Sequence, residues 1–346
     1  LAFCMLATGL FSSMSGLLYF SLAYFVALFA KSAGWPSMAN LIRVWYPQHW
    51  RGRIWGILSS SSRFSSLFTT LVLGSLLLVV SWRGVIATAA VITCAVLLLL
   101  FLVLKQSPAD VGLAAVAPSD GDNQQRPHPL DETTLAEALL RFARSARVWL
   151  ICMSAMSLTV LMEFQSFIPI YLKETFGLTA GIAAITSSAF PMGCLISVLA
   201  GGLIFDLLSK KKRIWVLGGM MVCAVVCIGL LLALPNLGLT GDFGLWTALL
   251  AIMVYGLAIA PCYYIPMSVF AVDFGGAHCG VLVGIIDAVG YLAAMAFDFL
   301  GGAVADQVDG WHQFLNILLG VSLCGSVTLP LFLLLDYRSA RALASS

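Results

Sequence analysis

Ten stretches of apolar sequence dominate this chain and leave it few ways to fold. They cover about residues 1–12, 17–41, 54–80, 84–104, 148–171, 179–206, 214–233, 245–270, 278–303 and 312–335. All but the first reach roughly 20 residues, the length at which a helix crosses a hydrocarbon core about 30 Å thick. Inside such a core every peptide N–H and C=O must find its partner within the protein, so runs of this length are helical. Only 10% of the 346 residues are charged and 61% are hydrophobic. A soluble domain carries roughly a quarter charged residues, so the two soluble domains that the length alone would allow are excluded. The sequence predicts an all-α membrane protein. Its first run is short and opens on Leu1 rather than Met, so further residues are expected upstream.

The remaining composition excludes several function classes. The nine cysteines all fall in apolar segments, without a C-x-x-C pair or zinc spacing, and read as small buried hydrophobes, not as disulfide partners or metal ligands. The histidines, His49, His128, His278 and His312, lie away from the middles of the spans. No Ser/His/Asp set and no phosphate-cradling glycine loop is present, so neither an enzyme nor a cofactor is expected, and nothing supports nucleic-acid binding.

A polar stretch from Lys105 to Arg147 separates four spans from six. Its latter part, Asp131 to Arg144, reads as a surface helix capped by Asp131 or Thr133. If the spans cross regularly, one side collects Arg43, Arg51, Arg53, Lys105, Arg126, Arg141, Arg144, Arg147, Lys210, Lys211, Lys212, Arg213, Arg338 and Arg341, and the other holds Arg83 and Lys173. The positive-inside rule makes the linker and the C-terminus cytoplasmic.

The halves also repeat. Gly52-x-x-x-Gly56 opens the third span and Trp82 the next; Gly280-x-x-x-Gly284 opens the ninth and Trp311 the tenth. Each glycine pair alone reads as close helix packing. The matched spacing adds a reading of two parallel repeats of six helices, the first lacking two: ten of twelve.

The motifs carry a resemblance at this point. The run from Gly202 through Asp206 to Lys210–Arg213 resembles the acidic–basic loop of the major facilitator superfamily. Gly34-Trp35-Pro36, Trp45-Tyr46-Pro47, Arg51-Gly52, Ser107 to Gly112, Tyr171 to Glu174 and Gly290-Tyr291-Leu292 resemble its organophosphate:phosphate antiporter branch, the sugar-phosphate exchangers. The resemblance implies two helical bundles: residues 1–104 as a partial N-terminal bundle (family helices 3–6), 105–147 as a cytoplasmic linker, 148–337 as a C-terminal six-helix bundle, and 338–346 as a cytoplasmic tail. It implies a monomeric transporter working by alternating access in a bacterial inner membrane, surrounded by lipid.

Ionisable groups within spans are costly and are functional candidates by default. Lys31 precedes Gly34, where the branch places a cavity-lining residue. Arg63 sits mid-span with Ser59, Ser62 and Ser66 around it, a polar stripe that cannot face lipid; it either lines a cavity or pairs with a carboxylate for packing. On the ninth span Asp287, Tyr291 and Asp298 share a face, the two carboxylates separated by roughly 16 Å of helical rise. Glu163 lies past the middle of the fifth span, and Tyr263 and Tyr264 stand between Pro261 and Pro266, as hydroxyl donors or as ordinary packing. The branch's phosphate-binding histidine and arginine are replaced by Ser62 and Leu161, which widens the expected substrate to a small organic anion, a phosphorylated metabolite or a carboxylate. Lys31, Ser59, Ser62, Arg63, Tyr263 and Tyr291 are expected to bind it. Glu163, Asp287 and Asp298 are expected to carry a coupling proton, phosphate being the alternative counter-ion, and Arg63 to contact Asp287 in the empty state. Asp206, Lys210 and Arg213 are expected to gate. The alternative is a non-transporting membrane sensor of sugar phosphates.

Overall fold

The computed structural model describes residues 16–32, 41, 44–46, 48–112, 130, 133–238 and 241–345. The expected first span, Gly34-Trp35-Pro36, Arg43 and Pro47 lie outside the described residues, and so do the side chains of Lys31, Ser59, Asp206 and Lys210. The described residues are helices joined by short turns, without a strand among them. They form two compact units. One holds the described residues as far as Ser62, those from Phe68 to Gln125, and Ala180–Ile185; the other holds Arg63–Leu67, those from Arg126 to Thr179, and those from Thr186 onward.

The first unit contains α1 (Leu17–Ser32), most of α2 (Gln48–Leu76) and α3 (Trp82–Val103). Ser81 caps α3, its hydroxyl accepting from Gly84 N at 3.4 Å. Along α3, Leu98, Leu99, Phe101, Leu102 and Val103 are all exposed, the pattern of a helix whose outer surface is covered by lipid or by further protein and not by water. A 3₁₀ turn, Pro108–Val111, follows, with Asp110 accepting from Ser107 N at 2.9 Å.

The second unit contains α4 (Leu135–Arg144), α5 (Ala146–Phe176), α7 (Ala189–Leu207), α8 (Lys210–Ala233), α9 (Gly241–Gly275), α10 (Cys279–Ala305) and α11 (Gly310–Ser345); the short α6 (Ala180–Thr186) precedes α7. Helix α4 begins later than the sequence suggests. Its cap is Thr134, which exchanges hydrogen bonds with Glu137 at 3.1 and 3.4 Å, so the cap is neither Asp131 nor Thr133. This capping box satisfies donors that a start at Asp131 would not reach.

Seven helices among the described residues are long and apolar enough to cross a membrane. Helix α2 has the length but carries a serine-rich run around Arg63, and α1 is apolar over only Leu18–Ala30. The expected span 179–206 is among the seven, over Ala180–Ala200, but its helix is interrupted by a turn at Ser187 and Ser188. Pro191 has no N–H to give Ser187 O, which instead accepts from Phe190 N at 3.2 Å, a tighter turn than α-helix.

Helix pairs α7/α9, α5/α10, α5/α11, α8/α11 and α8/α9 build the second unit. Its centre is aromatic: Phe164 touches Tyr171, Tyr255 and Phe314, with ring centroids 6.5, 5.9 and 6.0 Å apart. The fully buried Tyr255 donates its hydroxyl to Leu161 O at 2.8 Å, which removes the cost of an unmet buried O–H. One end is tied by Arg147, ion-paired to Asp336 at 3.1 Å and stacked over Phe274 at 4.8 Å. The other is tied by Trp311 donating to Glu174 at 2.8 Å.

The closest helix approach does not use the expected glycines. A Cβ at Gly280 or Gly284 would meet open space, whereas one at Gly193 would lie 2.0 Å from Met253 O and one at Gly256 2.4 Å from Phe190 O. Helices α7 and α9 therefore cross with their backbones almost in contact, a packing mode that small residues permit in membranes.

Candidate functional site

Arg63 brings the site together. It lies on the short section of α2 that belongs to the second unit, and its guanidinium sits 4.8 Å from the centre of the Tyr264 ring. A cation over an aromatic face gains electrostatic energy from the ring quadrupole, more so when shielded from water. Its Nε is buried and has no hydrogen-bond partner among the described residues. The expected Arg63–Asp287 ion pair does not appear among the described residues. The serines around Arg63 offer no charge, and the ring of Tyr264, not a carboxylate, occupies its face.

Around the guanidinium the second unit places phenols. Tyr263 and Tyr264 pack edge to face at 4.9 Å, in the stretch of α9 where Pro261 and Pro266 interrupt the backbone ladder. The Tyr263 hydroxyl is within hydrogen-bonding reach of Thr159 on α5 and Tyr291 on α10. Both phenols are near enough to Arg63 to feel its charge, as is Cys194. Helix α10 can bring Tyr291 this close because Gly290 lies against α5: a Cβ there would be 2.6 Å from Thr159 Oγ1. Asp287, one turn away, and Glu163 add negative potential at Tyr291. One step further along α2, Gln165 donates its amide to Ser66 Oγ.

The structure thus brings together Arg63, Tyr263 and Tyr291, with Glu163 and Asp287 at the edge. It does not bring in Ser62, which is exposed, or Asp298, which is exposed three turns along α10. Arg213 acts elsewhere, donating from Nε to Leu208 O at 3.0 Å just past the end of α7. Tyr264 as a cation platform, Thr159 and Gln165 were missed as partners. A signal existed for Thr159, which stands four residues before Glu163 and so on the same helical face. No group of three or more His, Cys, Asp or Glu among the described residues could hold a metal ion. Chemically the cluster offers an anion one cationic fork with a free N–H, hydroxyl donors beside it, and carboxylates within electrostatic range.

The family model described as Major Facilitator Superfamily matches residues 1–297. The chain is 26% identical to the "Probable hexose phosphate transport protein" of Chlamydia muridarum (strain MoPn / Nigg), over 95% of this chain and 75% of that protein. It is 27% identical to the protein of the same description in Chlamydia trachomatis serovar D, over 87% and 67%. It is 23% identical to "Glucose-6-phosphate exchanger SLC37A2" of Bos taurus, over 94% and 72%. Among solved structures it is similar to a bacterial homolog of the human lysosomal transporter Spinster, with a TM-score of 0.66 at 12% identity, over 95% of this chain and 80% of that one. That likeness bears on the fold alone.

Proposed function

The chain belongs to the Major Facilitator Superfamily, and from that premise we propose that it is a secondary transporter of a small organic anion, a hexose phosphate by preference, exchanged for phosphate or carried with a proton. The observation that carries the reading is the guanidinium of Arg63, held over Tyr264 with a buried Nε–H that no atom of the described residues accepts. A cation inside a membrane protein is costly unless paired or wet, and a phosphate or carboxylate oxygen supplies the missing acceptor in a charge-assisted, fork-shaped contact. Tyr263 and Tyr291 would donate to the remaining oxygens or to sugar hydroxyls. The names of the relatives favour sugar phosphate over carboxylate, and nothing among them favours the sensor reading.

Thermal unfolding of the full-length protein in detergent tests the ligand class. A ligand at about 100 times its Kd adds about 2.7 kcal/mol of stability, so hexose phosphate should raise the unfolding temperature. Inorganic phosphate should do so more weakly, and unphosphorylated hexose not at all. Equal shifts with phosphorylated and neutral sugar would rule out an anion site.

Coupling is assigned to Asp287 or Glu163, since both are carboxylates within electrostatic range of Tyr291 beside Arg63. Asp287→Asn should retain binding and exchange while losing accumulation driven by a pH gradient, with Glu163→Gln as the parallel variant. Should the double variant still accumulate substrate on a proton gradient, neither carboxylate carries the proton.

Asp206 with Lys210 and Arg213 is assigned to gating. Arg213 already binds the carbonyl of Leu208, at the junction of α7 and α8, away from the substrate cluster. Asp206→Asn should slow turnover several-fold with affinity nearly unchanged; a large affinity loss at normal turnover would contradict this.

A further inference from the structure

The linker helix α4 presents three distinct faces: one packs against protein, one is charged, and one is apolar yet exposed. With about 100° of rotation per residue, Ala138 and Phe142 form one narrow face. Both are buried, with Phe142 against Phe274 at 6.0 Å. The position is fixed at the helix start as well, where His278 Nε2 lies 2.9 Å from Thr133 O. Glu137, Arg141 and Arg144 form a second, charged face, exposed to solvent. The third face spans roughly 140° and holds Leu135, Ala136, Leu139, Leu140 and Ala143; its leucines are 50%, 40% and 50% exposed. An apolar face of that width on a docked helix has no cover within the described residues.

We propose that this face lies in the membrane surface, between the headgroups and the upper acyl chains of the leaflet on the linker's side, with Arg141 and Arg144 contacting anionic headgroups. Three observations favour lipid over a protein partner. Only Ser145 separates α4 from α5, which is long and apolar enough to cross the membrane, so α4 sits at the level where that span leaves the hydrocarbon. Trp149, in the first turn of α5, is 61% exposed and donates its indole N–H to Ala143 O at 2.7 Å. An indole with an exposed ring and a polar tether is the side chain that marks the membrane interface. Finally, the charged face carries two arginines against one glutamate, the sign that complements anionic lipid. The apolar face supplies burial, and the arginines supply the preference for negatively charged headgroups.

The test places a bimane label at Leu139→Cys or Glu137→Cys in full-length protein whose native cysteines have been replaced. The protein is reconstituted in vesicles of phosphatidylcholine, with or without added phosphatidylglycerol, and doxyl-labelled lipid serves as quencher. Both labelled positions are exposed, so the substitutions leave the core intact, and gel filtration checks each variant. Lipid should quench the label at position 139 strongly and that at 137 several-fold less. Quenching at 139 should deepen with phosphatidylglycerol, and Arg141→Ala with Arg144→Ala should remove that increment. A label at 139 that lipid does not reach overturns the proposal, whether water-soluble quencher reaches it or the rest of the linker shields it. Quenching at 139 that ignores phosphatidylglycerol overturns the role of the arginines.

Discussion

Replacing Arg63 with alanine should weaken substrate binding about 100-fold or more, equivalent to about 3 kcal/mol. The guanidinium is seated over the Tyr264 ring with Tyr263 and Tyr291 close by, and removing it takes away the cation that the described residues place in this cluster. The same site also contains carboxylates, Asp287 and Glu163, whose negative potential at Tyr291 would then act on the anion uncompensated. Arg63→Lys should fall between the two: it keeps the charge but replaces the planar fork with a point-like ammonium and loses the Nε–H. Isothermal titration of purified full-length variants with hexose phosphate reads the effect. Unchanged affinity in Arg63→Ala would remove the residue from the site.

Gly193→Leu should abolish correctly folded protein. A Cβ at this position would meet Met253 O at 2.0 Å and Leu257 N at 2.9 Å. These are backbone atoms of α9, which cannot rotate aside as a flexible side chain does. Overpacking in a yielding core costs about 1–3 kcal/mol; here the helices themselves must separate. Tyr255, Phe190 and Ile252, all fully buried near this crossing, would then lose their packing. Even Gly193→Ala should lower the unfolding temperature clearly. Gly284→Ala is the control, because its Cβ would meet nothing within 4 Å. Size-exclusion profiles and thermal midpoints in detergent compare the three. A normal profile for Gly193→Leu would show that the α7–α9 crossing is looser than this structure has it.

The same two glycine pairs show what sequence could and could not convey. Apolar run length made the helices legible, because the bilayer sets the length and nothing about partners is needed. The G-x-x-x-G spacing at Gly280 and Gly284 pointed to close packing, yet these positions face open space, while Gly193 and Gly256, on two helices far apart in sequence, make the contact. Which glycine meets a neighbour depends on helix rotation, which local spacing does not determine. Pro191 was readable as a residue without an N–H, but the span was taken as one helix. The break at Ser187 and Ser188 follows from a single missing hydrogen bond. In the site, a mid-span arginine, two tyrosines between prolines and two carboxylates stood out for being polar where apolar residues belong. Their pairing did not: charge together with the internal repeat suggested Arg63 with Asp287, and the structure gives Arg63 the face of Tyr264. A ring is invisible to a charge-based argument, since tyrosine counts as neither cation nor anion.

Exchange flux tests the central claim most directly. Vesicles containing the full-length protein, loaded with inorganic phosphate, are given labelled hexose 6-phosphate outside, with or without a pH gradient. The account predicts uptake that saturates and fails with Arg63→Ala. Such uptake should require either phosphate inside or an inward proton gradient. Absence of uptake under both driving conditions, from protein that is folded and monodisperse, would contradict it.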